Sequence, residues 1–204
     1  MNFCFHHLSV LASVVLNGKT QAKSYLWIFI LTNSLSDSVA VRRNAALNGR
    51  RIGIVGAGIV GLAHAWSAAE RQCEATVFER TSRASGGSVR NFGMVWPIGQ
   101  PAGECYATAM MSRKRWLRLS ELARIWVNPC GSIHLAHHED EWAVLQEYAA
   151  RASDFGVDCR LLTPTEVHQR TSAANPDGLR GGLFSPTELC VNPCQAVRTM
   201  PTWL

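Results

Sequence analysis

The chain has 204 residues, 47% of them apolar and 17% charged, the balance of a globular protein with room for one large domain or two small ones. Its net charge of +5 is unevenly placed: Lys19, Lys23, Arg42, Arg43 and Arg50 stand against Asp37 alone in residues 1–50, so the body carries almost none of it. The basic balance therefore gives no argument for a nucleic-acid-binding body.

Residues 3–16 (FCFHHLSVLASVVL) and 25–31 (YLWIFIL) are apolar runs, each shorter than the roughly 18 residues a membrane-spanning helix requires. A secretory signal opens on a positive stretch, and only His6 and His7 precede this apolar run. The near absence of acids, the serines and Arg42-Arg43 fit a mitochondrial or plastid transit peptide. The preferred reading is that residues 1–48 are a leader or a non-native extension outside the fold, and that the protein is cytoplasmic.

The run RIGIVGAGIVGLAHAW…ATVFER, residues 51–80, reads as strand, glycine turn, helix, strand and acid. Gly56, Gly58 and Gly61 form G-x-G-x-x-G after the apolar strand Ile52–Val55, and Glu79 ends the next apolar strand, 23 residues after Gly56. This order is that of a dinucleotide-binding unit. Gly56 permits the tight turn, Gly58 lets backbone approach a pyrophosphate, and Gly61 lets the helix lie close to the strand. The helix N-terminus offers free N–H groups and partial positive charge to phosphates, and Glu79 can accept hydrogen bonds from a ribose diol. The spacing predicts a helix over residues 60–71 with Ala63, Trp66 and Ala69 on its apolar side, supported by Leu62. Gln72 and Cys73 sit where a helix stop would have glycine, which implies strain.

Residues 81–97 (TSRASGGSVRNFGMVWP) combine glycine and serine with arginine and aromatics, the composition of a loop that covers a bound group. Residues 105–125 read as a helix whose Arg113, Lys114, Arg115 and Arg118 form a solvated basic face. Residues 126–136 give a turn and a short strand, with Ile133 and Leu135 alternating against Ser132 and His134. His134, His137 and His138 lack the helical spacing or closing acids of a metal site, and no metal is expected. Residues 139–155 form an amphipathic helix with Trp142, Leu145, Tyr148 and Ala149 on one side, acids at its start and Gly156 at its stop. Thr163, Pro164 and Glu166 spell a capped helix start. Residues 174–193 supply turns and strands, and Pro193 opens a last helix. The seven cysteines (Cys4, Cys73, Cys105, Cys130, Cys159, Cys190 and Cys194) are scattered with no C-x-x-C, which favours free thiols over a disulfide frame or zinc.

IGIVGAGIVG, VFER and SGGSVRNFG together resemble the FAD-dependent D-amino-acid oxidase superfamily, which includes glycine oxidase, sarcosine oxidase and D-amino-acid dehydrogenase. GSVRNFGMVWPIGQPAGE with CGSIHLAHHEDE resembles, more narrowly, its aminophosphonate-catabolism-associated group. The resemblance implies an α/β fold: a Rossmann-like FAD-binding unit with an incomplete parallel sheet over 49–126, the start of an α+β substrate domain over 127–192, and a return helix over 193–204. It implies that Val55, Gly56, Gly58, Ile59, Val60 and Gly61 line the pyrophosphate turn. Glu79 and Arg80 would contact the adenosine, and Ser88, Arg90 and Asn91 would lie near the pyrophosphate and isoalloxazine. The implied reaction is oxidation of a C–N bond of a small amine or amino acid by hydride transfer to flavin, with no nucleic-acid or membrane partner. Tyr106, His134 and Arg90 are candidate bases, none singled out. A nicotinamide-dependent dehydrogenase would share the glycine turn and Glu79, but not SGGSVRNFG. Few parallel-strand candidates follow Phe78, so the chain reads as the C-terminally truncated first half of the family fold, and a catalytically inactive fragment is a further alternative.

Overall fold

The computed structural model describes residues 49–204; the leader reading lies outside them. These residues form two compact units, 49–90 with 196–204, and 91–195. No helix among the described residues is long and apolar enough to cross a membrane.

In the first unit, strand β1 (Arg51–Val55) leads through the glycine turn into helix α1 (Ile59–Ala69), and strand β2 (Glu74–Phe78) follows. β2 returns parallel to β1, with Ile54 opposite Val77 and Val55 opposite Phe78, as a right-handed strand–helix–strand crossover allows. The face α1 turns inward carries Leu62, Ala65, Trp66 and Ala68. Ala63 and Ala69, expected there, are exposed: position 63 is rotated about 100° from 62 at 3.6 residues per turn, and the small residue at 65 takes its place. Helix α5 (Pro193–Trp203) brings Trp203 edge-on to Trp66, ring centroids 5.4 Å apart. Burying Leu62 completely stabilises the unit by about 2 kcal/mol. After α1, Gln72 takes φ +58°, the left-handed conformation that glycine would adopt without strain.

The second unit holds helix α2 (Glu104–Ala123), helix α3 (Glu139–Ala152) and helix α4 (Pro164–Arg170) around two antiparallel sheets. Strands β3 (Met94–Val95), β4 (Val127–Asn128) and β8 (Leu189–Val191) form one, in the order β3-β8-β4. Strands β5 (Ser132–Ala136), β6 (Arg160–Leu162) and β7 (Gly181–Ser185) form the other, in the order β5-β7-β6. His134 stands opposite Leu183 and Ser132 opposite Ser185. Side chains alternate between faces, so both faces of this sheet are used. Ile133 and Phe184 pack on Leu162, Val167, Ala174 and Leu179. Leu183, on the side of His134, joins Ile98, Tyr106, Ala152 and Val157. The polar half of the β5 alternation therefore faces protein as well as solvent. At α4, Thr163 Oγ1 accepts from Glu166 N at 3.3 Å, and Glu166 Oε2 accepts from Thr163 N at 2.8 Å. This is the reciprocal cap that the sequence spells.

Candidate cofactor site

The turn after β1 is shaped by atoms that are missing. Gly56 has φ +99°, accessible to glycine at little cost. A Cβ on Gly61 would lie 2.0 Å from Gly56 O, so only hydrogen allows α1 to start this close to the turn. Gly58 has an ordinary φ of −68°; its role is space, since a Cβ there would meet Ser88 Oγ at 3.0 Å. That hydroxyl accepts from Ile59 N, also at 3.0 Å. Ser88 lies in a 3₁₀ turn, Gly87–Val89, within the glycine- and serine-rich loop.

The N-terminus of α1 is open to an anion. Its cap residue, Gly58, has no side chain to bond the first amides, and its first turn holds no acidic residue. The helical ladder begins with Leu62 N donating to Gly58 O, which leaves the amides of Gly58, Val60 and Gly61 ahead of it. Amides at a helix N-terminus, together with the helix dipole, favour a phosphate group.

Glu79 borders the turn. Its Oε2 accepts from Ala57 N at 2.9 Å, and its Oε1 accepts from Thr81 N at 3.2 Å and Thr81 Oγ1 at 3.0 Å. Hydrogen bonds from the Ala57 amide, then from Thr81, hold its carboxyl below the usual range, so it is an anion at neutral pH. Each carboxylate oxygen keeps accepting capacity beyond these donors. The residues fit a dinucleotide: a phosphate-sized opening at a helix N-terminus, an acidic acceptor beside it, and a floor that an extra methyl would fill.

The structure brings Gly56, Gly58, Ile59, Val60, Gly61, Glu79 and Ser88 together around this turn, with Val55 entering it. The Arg80 and Arg90 side chains are exposed. Asn91 belongs to the second unit, where its Oδ1 accepts from Gly93 N at 2.7 Å and shapes its own loop. His64 is exposed and bonds Val60 O. Thr81 was not foreseen, although a hydroxyl two residues past Glu79 was legible as a local partner.

A second feature also escaped the sequence reading. Glu188 is 1% exposed. Its Oε1 accepts from Ile98 N at 3.0 Å and Thr187 Oγ1 at 2.8 Å, and its Oε2 accepts from Ser132 Oγ at 3.1 Å. The signal was an acid pressed between a proline turn and the apolar strand LCV. Of the other residues considered, Arg113 is half-buried and its Nε donates to Thr187 O at 2.6 Å, so it does not belong to a purely solvated face. His137 Nε2 lies 3.2 Å from Asn175 O, and His138 is the N-cap of α3.

Comparison with known proteins agrees with this geometry. The model of a family described as FAD dependent oxidoreductase (DAO) matches residues 51–201. Among solved structures, L-proline dehydrogenase from P. horikoshii is similar at 24% identity and a TM-score of 0.66, over 76% of this chain and 41% of that one. Glycine oxidase from Geobacillus kaustophilus is similar at 23% identity and a TM-score of 0.67, over 76% and 44%. At these identities the likeness is one of fold. The chain thus spans less than half the length of these enzymes. Protoporphyrinogen oxidase 2, chloroplastic/mitochondrial, of Arabidopsis thaliana is 39% identical over 66 residues, covering 31% of this chain and 13% of that protein.

Proposed function

This chain belongs to the FAD dependent oxidoreductase family (DAO), and from that premise we propose that it takes part in oxidising a C–N bond of a small amine or amino acid. FAD is the cofactor of the family, and when bound it supplies the acceptor for the hydride lost from the carbon that bears nitrogen. The chain's own residues bind and orient. The amides of Gly58, Val60 and Gly61 would hold the pyrophosphate, with Gly56 setting the turn. Glu79 would accept the ribose hydroxyls through its remaining lone pairs. Ser88 holds the covering loop to the helix start through Ile59 N, which would set that loop beside a bound pyrophosphate. Val55, Arg80, Arg90 and Asn91 complete the proposed contact set.

The observation that carries this reading is the glycine turn with the Glu79 carboxylate bonded across it to Ala57 N. The amine part of the proposal is supported by the fold shared with glycine oxidase and L-proline dehydrogenase. The reaction is tested by mixing the FAD-loaded chain anaerobically with a panel of amines, amino acids and aminophosphonates. Loss of the oxidised-flavin absorption with an amine, and not with the matching alcohol, is the expected result. Bleaching by alcohols alone would contradict it.

A further inference from the structure

Two free thiols of the second unit stand side by side, in a part of the chain that the cofactor site does not use. Cys190 lies in the middle of β8, with Asn128 of β4 opposite it on one side and Met94 of β3 opposite it on the other. Directly opposed residues project to the same face of a sheet, so Cys190 is flanked from both sides, and it is half-buried. Past Asn128 and Pro129 the chain still runs beside β8, since Gly131 N donates to Glu188 O at 3.0 Å. Cys130 is thereby held next to β8, two residues on from the partner of Cys190. Such a diagonal pair on antiparallel strands lies within side-chain reach. The Cys130 and Cys190 thiols do meet: they are hydrogen-bonded to each other.

The backbone around the pair is fixed on both sides. Asn128 pairs with Cys190 before it. After it, Ser132 Oγ donates to the buried Glu188 carboxylate. Gly131 has φ +72°, and a Cβ there would come within 2.5 Å of Ser185 O and 2.9 Å of the Phe184 ring, so the chain next to Cys130 is closely packed. Two thiols held in contact by a rigid frame react with each other as neighbours rather than as distant points on a chain. They differ in access. Cys130 is exposed, so it is the sulfur that a dissolved oxidant reaches first. Burial, then the Cys130 sulfur beside it, pushes the Cys190 thiol up, so Cys190 keeps its proton until its neighbour has reacted.

We infer that Cys130 and Cys190 form a modification site for hydrogen peroxide, which converts them to a disulfide that a small thiol reopens. In the first step Cys130 releases its proton to solvent and its sulfur attacks one peroxide oxygen. The O–O bond breaks, an S–OH group forms, and the departing hydroxide takes a proton and leaves as water. In the second step Cys190 loses its proton and its sulfur attacks Cys130 Sγ. The S–S bond forms, the S–O bond breaks, and a second water leaves. Two thiols are oxidised and one peroxide is reduced to two waters. No flavin takes part. The bond closes the loop from 130 to 190, which contains β5, α3, β6, α4 and β7. It therefore constrains the unfolded chain and raises stability.

The test uses the full chain without FAD. It is treated with equimolar hydrogen peroxide, its remaining thiols are alkylated, and its unreduced digest is read by mass spectrometry. The peptides of Cys130 and Cys190 should appear joined, with the loss of two hydrogens, and should separate after dithiothreitol. The urea midpoint should rise on oxidation and fall back on reduction. In chain already unfolded in urea, the same peroxide should scatter links among the cysteines. Cys190→Ser should stop at the S–OH stage on Cys130, trapped there by dimedone. The inference is overturned by a folded wild type whose Cys130 and Cys190 are both alkylated after peroxide. It is equally overturned by a link to a different cysteine, or by a Cys130–Cys190 link no more frequent than in urea. A Cys190→Ser chain that traps dimedone elsewhere and not at Cys130 overturns the assigned order of attack. The wild-type readouts hold whether or not that variant folds.

Discussion

The glycine turn and the Glu188 network are opposite solutions to placing polar groups inside a protein. At the turn, close approach comes from side chains that are absent, and the polar atoms left over are backbone amides. Around Glu188 it comes from side chains that are present, with three donors aimed at one buried carboxylate. The first arrangement leaves hydrogen-bonding capacity for a ligand. The second is satisfied internally. One region is therefore damaged by adding atoms and the other by removing them.

The largest expected loss is on the side of removal. Glu188→Ala leaves the buried Ile98 N without its acceptor, takes one partner each from Thr187 Oγ1 and Ser132 Oγ, and destabilises the protein by about 4 kcal/mol, measured by urea unfolding. Gly61→Ala is the matching addition. Its methyl meets a backbone oxygen that cannot step aside, at a cost of about 3 kcal/mol. Gly58→Ala meets only the movable Ser88 hydroxyl and costs about 1 kcal/mol. Equal effects at 58 and 61 would break the account of the turn.

Acid gives a smaller effect. At the cap of α4, Glu166 accepts from Thr163 N, Arg160 and Thr163 Oγ1, which pull its carboxyl from 4.5 to about 2. A depressed folded-state pKa means stability present above the unfolded value and lost as pH falls through the folded one. The α4 cap contribution should therefore decline between about pH 4.5 and 2, and Glu166→Gln should remove that part of the pH dependence. The smallest effect has the opposite sign. Gln72→Gly relieves a φ of +58° and raises stability by about 0.5 kcal/mol, less than the full left-handed penalty because glycine also loosens the unfolded chain. A destabilised Gln72→Gly would remove the strain argument.

What was legible follows from the same contrast. The turn lies within 30 residues, and its glycines can be recognised from spacing because each answers to local backbone geometry. The capping box at Thr163 and Glu166 was readable for the same reason. Glu188 was not, because its partners Ser132 and Ile98 lie 56 and 90 residues away and are brought near it only when β5 pairs with β7 and β3 with β8. Ser132 and His134 were visible as the polar half of an alternating strand, but the pattern could not say that Leu183, opposite His134, packs with Ile98 and Tyr106. The α1 face was misjudged at Ala63 and Ala69, since small residues give hydropathy no sharp phase. Of the contact set, the loop residues are least constrained by sequence: Ser88 reaches the helix start, while Asn91 bends its own loop.

The most direct test of the central claim is FAD retention. The full chain, incubated with FAD or with NAD and passed through gel filtration, should carry flavin absorption in its folded peak and no nicotinamide. Glu79→Ala should release much of the flavin without unfolding. A folded chain that elutes colourless, or that retains NAD instead, would contradict the assignment of this turn to FAD.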